Sequence, residues 1–393
     1  MRPALAKAAC AALLLTAVTA VTAGCSSGDD GQAGRDTASS RSAPSSSGAG
    51  ASTASPSGDL PPAKGSVRVV RTVTDGLKSP WGLAPLPEGG LLVSSRDEGT
   101  ITRVDTETGK KTELGSVPGV APAGEGGLLG LALSPSYASD HMVYAYFTTE
   151  SDNRIARMPY DAKKPAGEQL GAPDTIFKGI PKGTNHNGGR IAFGPDDLLY
   201  VGTGETYRTE YAQDKKSPGG KILRLTPEGD PAPGNPFGKS PVYSYGHRNV
   251  QGLAWDKDKR LWASEFGQDT WDELNDIVAG DNYGWPDAEG KSGDSGYHDP
   301  VAQWHTDDAS PSGIAYAEGS VWMAGLRGER LWRVPLDGTK EAHEPQEFLK
   351  GRYGRLRTVV SAGGDKLWLV TSETDTRGTP AKGDDRILEL KVS

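Results

Sequence analysis

Gln251-Gly252-Leu253-Ala254, followed by a polar turn and the apolar run Leu261-Trp262-Ala263, is the stretch that decides the fold, because versions of it recur along the chain. Related quartets are Trp81-Gly82-Leu83-Ala84, Leu129-Gly130-Leu131-Ala132, Gly189-Arg190-Ile191-Ala192, Ser312-Gly313-Ile314-Ala315 and, with least likeness, Arg357-Thr358-Val359-Val360. A strand with alternating character is expected after each, as in Leu91-Leu92-Val93, Met142 to Tyr146, Leu198 to Val201, Val321-Trp322-Met323 and Leu367 to Val370. Several units then close on a basic strand: Ile101 to Val104, Arg154 to Arg157, Lys221 to Leu225, Arg330 to Val334 and Arg386 to Leu390. The quartets end at residues 84, 132, 192, 254, 315 and 360, so the steps run from 45 to 62 residues. Short steps suit a four-stranded blade and longer ones a blade with an inserted loop. The expected fold is therefore all-β, a six-bladed β-propeller; a pair of β-sandwiches has no reason to repeat six times.

Composition agrees. The 393 residues include 53 Gly and 28 Pro, as many tight turns between short strands require. With 43 Lys and Arg against 51 Asp and Glu the net charge is -8, which disfavours nucleic acid and anionic membrane surfaces as partners.

The N-terminus divides off. Residues 1–24 read as an export signal, with Arg2 and Lys7 before the apolar run Ala8 to Ala20 and small residues before Cys25. The pattern resembles a bacterial lipoprotein signal in which Cys25 is acylated, although Thr22 stands where Leu is usual; the alternative is plain secretion with Cys25 unmodified. Residues 25–64 form a Ser/Gly/Ala-rich stretch expected to be a flexible tether with a reach of about 35 Å. Residues 65–393 are the propeller. Cys10 leaves with the signal, so no disulfide is available to an exported domain. The expected location is the outer face of the cell membrane, with the lipid anchor as the only membrane contact.

In a propeller the innermost strands surround a channel, so polar residues beside the quartets converge at one end of it. His186, in Asn185-His186-Asn187-Gly188-Gly189-Arg190, precedes the third quartet, and Glu205 ends the following strand. Adjacent strands would bring the carboxylate to the imidazole, a dyad suited to general-base work. Arg248 and Asn249 precede the fourth quartet as donors for a carbonyl or carboxylate oxygen. Arg355 and Arg357 alternate on one strand and would repel each other unless an anion lay between them, which points to a multiply charged ligand. Carboxylates and turn residues cluster in Ser264 to Asn275 and Asp281 to Pro286, where oxygen ligands for Ca²⁺ are expected. EF-hand and zinc spacings are absent from the sequence.

Taken in order, Glu125-Gly126-Gly127-Leu128-Leu129-Gly130, His186 with Gly188-Gly189-Arg190, Gly246 to Leu253, Asp272-Glu273-Leu274-Asn275, Asn282-Tyr283-Gly284-Trp285-Pro286 and Arg355-Leu356-Arg357 resemble the soluble pyrroloquinoline quinone (PQQ) dehydrogenases, the glucose/sorbosone dehydrogenase family, and most closely its bacterial aldose sugar dehydrogenases. The resemblance implies an oxidoreductase that converts aldose sugars to lactones with PQQ and Ca²⁺. It makes His186 the base, Glu205 the residue that orients it, and Arg248 and Asn249 the pair at the quinone oxygens. Arg327, Arg355 and Arg357 would neutralise cofactor carboxylates, with Glu125 beside the cofactor and Tyr297 stacked nearby. Backbone oxygens of Gly267 and Gln268 would hold a calcium at the cofactor, and Glu273 and Tyr283 a second, structural one. The chain departs from the family pattern at Glu125, where Gln is frequent, at Gln268 for Pro, at Trp271 for a small residue and at Arg327 for Lys. Two rival functions also suit a propeller: a calcium-dependent lactonase, which would want carboxylates on the axis, and a non-catalytic binding module. The electron acceptor is not legible in the sequence.

Overall fold

A computed structural model describes residues 60–393; the expected signal, Cys25 and the tether up to residue 59 lie outside the described residues. Six antiparallel sheets follow one another, each beginning at a quartet. Their innermost strands are Pro80–Pro85, Leu128–Leu133, Ile191–Phe193, Val250–Trp255, Pro311–Ala317 and Leu356–Gly363, and each touches the next around a ring. Four strands make up each blade, except that the third strand of blade five, Leu331–Asp337, pairs with two short pieces, Lys340–Glu341 and Gln346–Phe348.

The glycine at the second position of the quartets has a steric reason. Inner strands crowd toward the channel, so a Cβ at Gly82 would stand 2.5 Å from the Leu129 carbonyl of the next blade, and one at Gly313 would stand 2.9 Å from Thr358 Cα. Register shifts fall at the same place in five of the six inner strands, and such bulges turn the residues just ahead of them toward the channel. The Gly82 amide, for instance, is taken up by Ser94 Oγ at 2.7 Å.

Apolar packing is distributed between blades. Six buried clusters each join two neighbouring blades, such as Leu92, Ile101, Leu128 and Val143 between blades one and two, or Trp322, Leu331, Leu356 and Leu369 between blades five and six. A blade therefore buries both faces. This corrects the expected alternation of the second strands: Leu91–Ser95 and Ser320–Gly325 are buried at every position, because both sheet faces meet a neighbour. The basic strands lie third in their blades rather than last.

The ring is closed by a strand from the start of the domain. Val67–Thr74 pairs antiparallel with Ile387–Val392 and forms the outer edge of blade six, with Val67 opposite Val392. The residues just before it are held too, since Arg333 Nη2 donates to the Pro62 carbonyl at 2.9 Å and the Gly65 amide to Gln346 Oε1 at 2.8 Å. No helix among the described residues is long and apolar enough to cross a membrane.

Candidate active site

One end of the channel opens into a cavity of about 440 Å³. Most of its wall comes from two places in the blades: the first residues of the inner strand or those leading into it (Trp81, Glu125, His186, Arg248, Asn249, Gln251, Ser310, Arg355, Arg357) and those after the second strand (Arg96, Tyr207, Phe266, Gly267, Gln268, Leu326, Arg327, Asp375), with Asp272 and Thr306 added by the outer strands of blade four. Antiparallel pairing puts the start of one strand beside the end of the next, so the two sets face each other across each blade.

His186 and Glu205 meet as expected, although through loops rather than strand register. The loop Asn185–Gly189 and the Gly204-Glu205 bridge to Asn249 bring Glu205 Oε1 onto His186 Nδ1. Both residues are buried, and the carboxylate holds the hydrogen on Nδ1, leaving Nε2 as the basic nitrogen toward the cavity. Gly204 has no Cβ because one would collide with the His186 carbonyl. His186, Thr206 and Tyr207 all take positive φ (54, 59 and 61°), a costly conformation for residues with side chains that concentrates here around the dyad. The exposed Tyr207 ring lies 4.1 Å from the imidazole, centroid to centroid.

Glu125 does not confront the cavity as a lone acid. Its Oε1 accepts from Arg377 Nη2 (2.8 Å) and Asn185 Nδ2 (2.9 Å), and its Oε2 from the His186 amide (2.9 Å). It thereby fixes the backbone of the base. Arg248 is buried, with Nη1 donating to the Phe266 carbonyl at 3.3 Å and Nε left without a partner. Asn249 is spent in part on structure, its Oδ1 accepting from the Gly188 amide at 2.9 Å.

The expectation for Arg355 and Arg357 needs correction. The anion between them belongs to the protein: Asp375 Oδ2 accepts from Arg355 Nη2 at 3.0 Å and from Arg357 Nη2 at 2.9 Å. Despite its burial, the two guanidiniums hold the Asp375 carboxyl down at about 2. Both arginines still line the cavity, and Arg357 Nη1 also donates to Gln251 Oε1 at 3.1 Å. Arg327 stands at the rim in an exposed pair with Asp307 (2.6 Å). Tyr297 is a second correction: it lies outside the cavity wall, packed against Gly284 with its hydroxyl 3.4 Å from Asp287. Tyr207, Trp81 and Phe266 are the aromatic residues that line the wall.

The acidic segment was expected in turns, but Asp272, Glu273, Leu274 and Asn275 lie within the strand Trp271–Ile277, the third of blade four, and are buried. Asp272 receives the amides of Gly267 (2.9 Å) and Ser310 (2.6 Å), and burial pushes its carboxyl up to about 7. Glu289 Oε1 gathers the amides of Gln268 through Trp271 at 2.6 to 3.2 Å, setting the loop that carries the Gly267 and Gln268 carbonyls. Beneath it, Glu273 accepts from the Gly290 amide (2.7 Å) and from Asn275 Nδ2 (3.1 Å). Burial, and then the neighbouring Glu265, push the Glu273 carboxyl up, while Asn275 Oδ1 is buried without a partner. A divalent cation would offset both, so this donor set fits calcium. The Tyr283 hydroxyl is committed to the Asp276 carbonyl (2.7 Å) and the Val278 amide (2.9 Å), leaving only its main-chain oxygen as a ligand.

Sequence reasoning missed Asp375, Arg96, Arg377, Tyr207 and the wall role of Gln251; Gln251 at least stood inside a quoted motif. The cavity fits PQQ, a planar tricarboxylate, in its guanidinium-rich wall and in the unpartnered Nε of buried Arg248.

With this geometry in view, comparison with known proteins decides the family: the Glucose / Sorbosone dehydrogenase family matches residues 77–379. The chain belongs to it. The PQQ-bound aldose sugar dehydrogenase of Streptomyces coelicolor, a solved structure, is 78% identical with a TM-score of 0.84, covering 85% of this chain and all of that one. The aldose sugar dehydrogenase of Escherichia coli K12 is 29% identical over 337 residues, 78% of this chain and 90% of that protein. Quinoprotein glucose dehydrogenase B of Acinetobacter calcoaceticus is 30% identical over 285 residues, 63% of this chain and 59% of that protein. Membership in the glucose/sorbosone dehydrogenase family places the His186–Glu205 dyad and the arginine-lined wall in a sugar-oxidising context.

Proposed function

We propose that this protein oxidises aldose sugars at the anomeric carbon to lactones, using PQQ and calcium. The carrying observation is the buried His186–Glu205 dyad at the wall of a cavity rich in guanidiniums. When bound, PQQ supplies the two-electron acceptor for the hydride that leaves the anomeric carbon. His186 Nε2 takes the hydroxyl proton as the lactone carbonyl forms, and Glu205 stabilises the imidazolium that results. Arg248 donates toward negative charge developing on the acceptor, from a dry site where such a contact is strong. Gly267 and Gln268 would hold calcium beside the cofactor, and Glu273 with the Tyr283 carbonyl a second, structural ion. A wall of arginines is the reverse of the carboxylate ring a central-metal lactonase needs.

Export and acylation at Cys25 belong to the same proposal. They rest on the sequence of residues 1–25, and the Ser/Gly/Ala-rich stretch would hold the propeller clear of the membrane surface.

The test adds PQQ and Ca²⁺ to the purified apo protein and follows the quinone absorption while a panel of aldoses is supplied. Bleaching by at least one aldose, with lactone formed in equal amount, is the expected result. A spectrum that no sugar changes would overturn the proposal.

A further inference from the structure

Arg190 has a place in the recurring sequence but no part in the chemistry above. It leads into the inner strand of blade three, and its side chain crosses the channel. Nε donates to the Gln251 carbonyl of blade four at 2.8 Å, and Nη2 to Thr358 Oγ1 of blade six at 3.0 Å. The guanidinium carbon lies 4.3 Å from the ring centroid of Trp81 in blade one. Trp81 lines the cavity, whereas Arg190 lines a separate apolar funnel of about 280 Å³ toward the opposite mouth. The guanidinium thus lies behind the tryptophan as seen from the cavity.

Its charge is not compensated within the protein. Guanidiniums of the cavity wall have carboxylates in contact (Arg96 with Asp97, Arg327 with Asp307, Arg377 with Glu125, and Arg355 and Arg357 sharing Asp375), except Arg248, which has Glu205 as its strongest acidic influence. Among the described residues no carboxylate lies within 4 Å of Arg190, and the charged neighbour it does have is Arg357, another cation. Burial and that neighbour push the guanidinium down to about 9. A buried unpaired charge is costly, and an apolar residue of similar size would serve packing at least as well. Two hydrogen bonds to neutral oxygens do not account for keeping a cation at this spot. A ligand that brings negative charge to the other face of Trp81 does.

We propose that Arg190 is an electrostatic positioning residue, which sets a standing positive potential at the cavity floor through Trp81 and so selects a planar anion over a neutral molecule of the same shape. This rests on the PQQ reading, with the tricarboxylate as the anion. Arg190 does not touch the ligand; it acts through the ring in front of it. Electrostatic attraction across a polarisable, water-free layer is weakly screened, so the effect reaches the cavity without contact.

The experiment measures dissociation constants of PQQ and of its uncharged trimethyl ester for wild type, Arg190→Met, Arg190→Gln and Arg190→Lys, with apo melting temperatures alongside. Arg190→Gln keeps hydrogen-bond donors without charge and serves if the methionine variant does not fold. Loss of charge should weaken PQQ at least tenfold and the ester less than threefold, so the preference of wild type for the anion falls. Arg190→Lys should retain most of that preference. Apo melting should be unchanged or higher in Arg190→Met. Parallel weakening of both ligands, or no change in either, would make Arg190 a cross-channel staple and overturn the inference. Failure of wild type to bind PQQ would overturn the cofactor reading and this inference with it, whereas intact wild-type binding with unaltered selectivity in the variants would overturn this inference alone.

Discussion

Replacing Asp375 with asparagine should move stability and cofactor affinity in opposite directions. The side chain is 2% exposed and holds Arg355 and Arg357 at 3.0 and 2.9 Å. Its carboxyl titrates at about 2 in the folded protein against an ordinary 3.8. At about 1.4 kcal/mol for each pKa unit, the ionised form is favoured by about 2 to 3 kcal/mol on folding. Asparagine loses that and leaves Arg357 buried without a carboxylate, so the apo protein should lose about 2 to 4 kcal/mol at pH 7. Because the folded value is depressed, this contribution is fully present above about pH 4 and is lost as pH falls through about 2, so the gap between wild type and Asp375→Asn should narrow over that window. With the internal anion gone, the two guanidiniums face a carboxylate ligand alone, and PQQ should bind several-fold more tightly. Urea unfolding of the apo proteins across pH, with PQQ titrations at pH 7, reads both effects. A variant as stable as wild type within 0.5 kcal/mol, or one that binds PQQ more weakly, would refute the account of Asp375 as a built-in counter-ion.

Three further outcomes are expected. His186→Gln should lower kcat by about two to four orders of magnitude and leave the PQQ dissociation constant within about threefold, measured by steady-state kinetics and direct titration; near-normal turnover would remove the base assignment. Glu125→Gln should cost about 1 to 2 kcal/mol, little of it from the pair with Arg377, which is 57% exposed, and more from turning an NH2 toward donors that a carboxylate oxygen now accepts, and it should leave PQQ binding equal or tighter; a tenfold loss of affinity would give Glu125 a direct role at the cofactor. Chelating divalent ions should lower the melting temperature of the apo protein, and Glu273→Gln should abolish that response, since an ion that binds only the folded state stabilises it by mass action. A melt indifferent to chelator would leave Glu273 as a buried acid without an ion.

The repeat was legible in the sequence because the channel imposes one steric demand in four of the six blades, within an apolar frame common to all of them. Inner strands that crowd an axis need a small residue where the next backbone approaches, so glycine recurs inside an apolar frame at Gly82, Gly130, Gly252 and Gly313. Local order likewise placed His186, Arg248 and Arg357 beside the quartets, and therefore at the channel. Ring closure by Val67–Thr74 was not legible, since strand pairing between residues more than 300 apart leaves no local pattern. Nor were the partners of the charged groups. Asp375 meets Arg355 and Arg357 because the turn after the second strand of blade six folds over the start of its own inner strand, and from the same turn Arg377 reaches Glu125 at the entry to blade two, 252 residues away. Spacing along the sequence determined which charges this protein carries to its channel. Only the tertiary structure decided which of them cancel and which, like that of Arg190, stay without a carboxylate, because Coulomb energy depends on distance in space and on exclusion of water rather than on order along the chain.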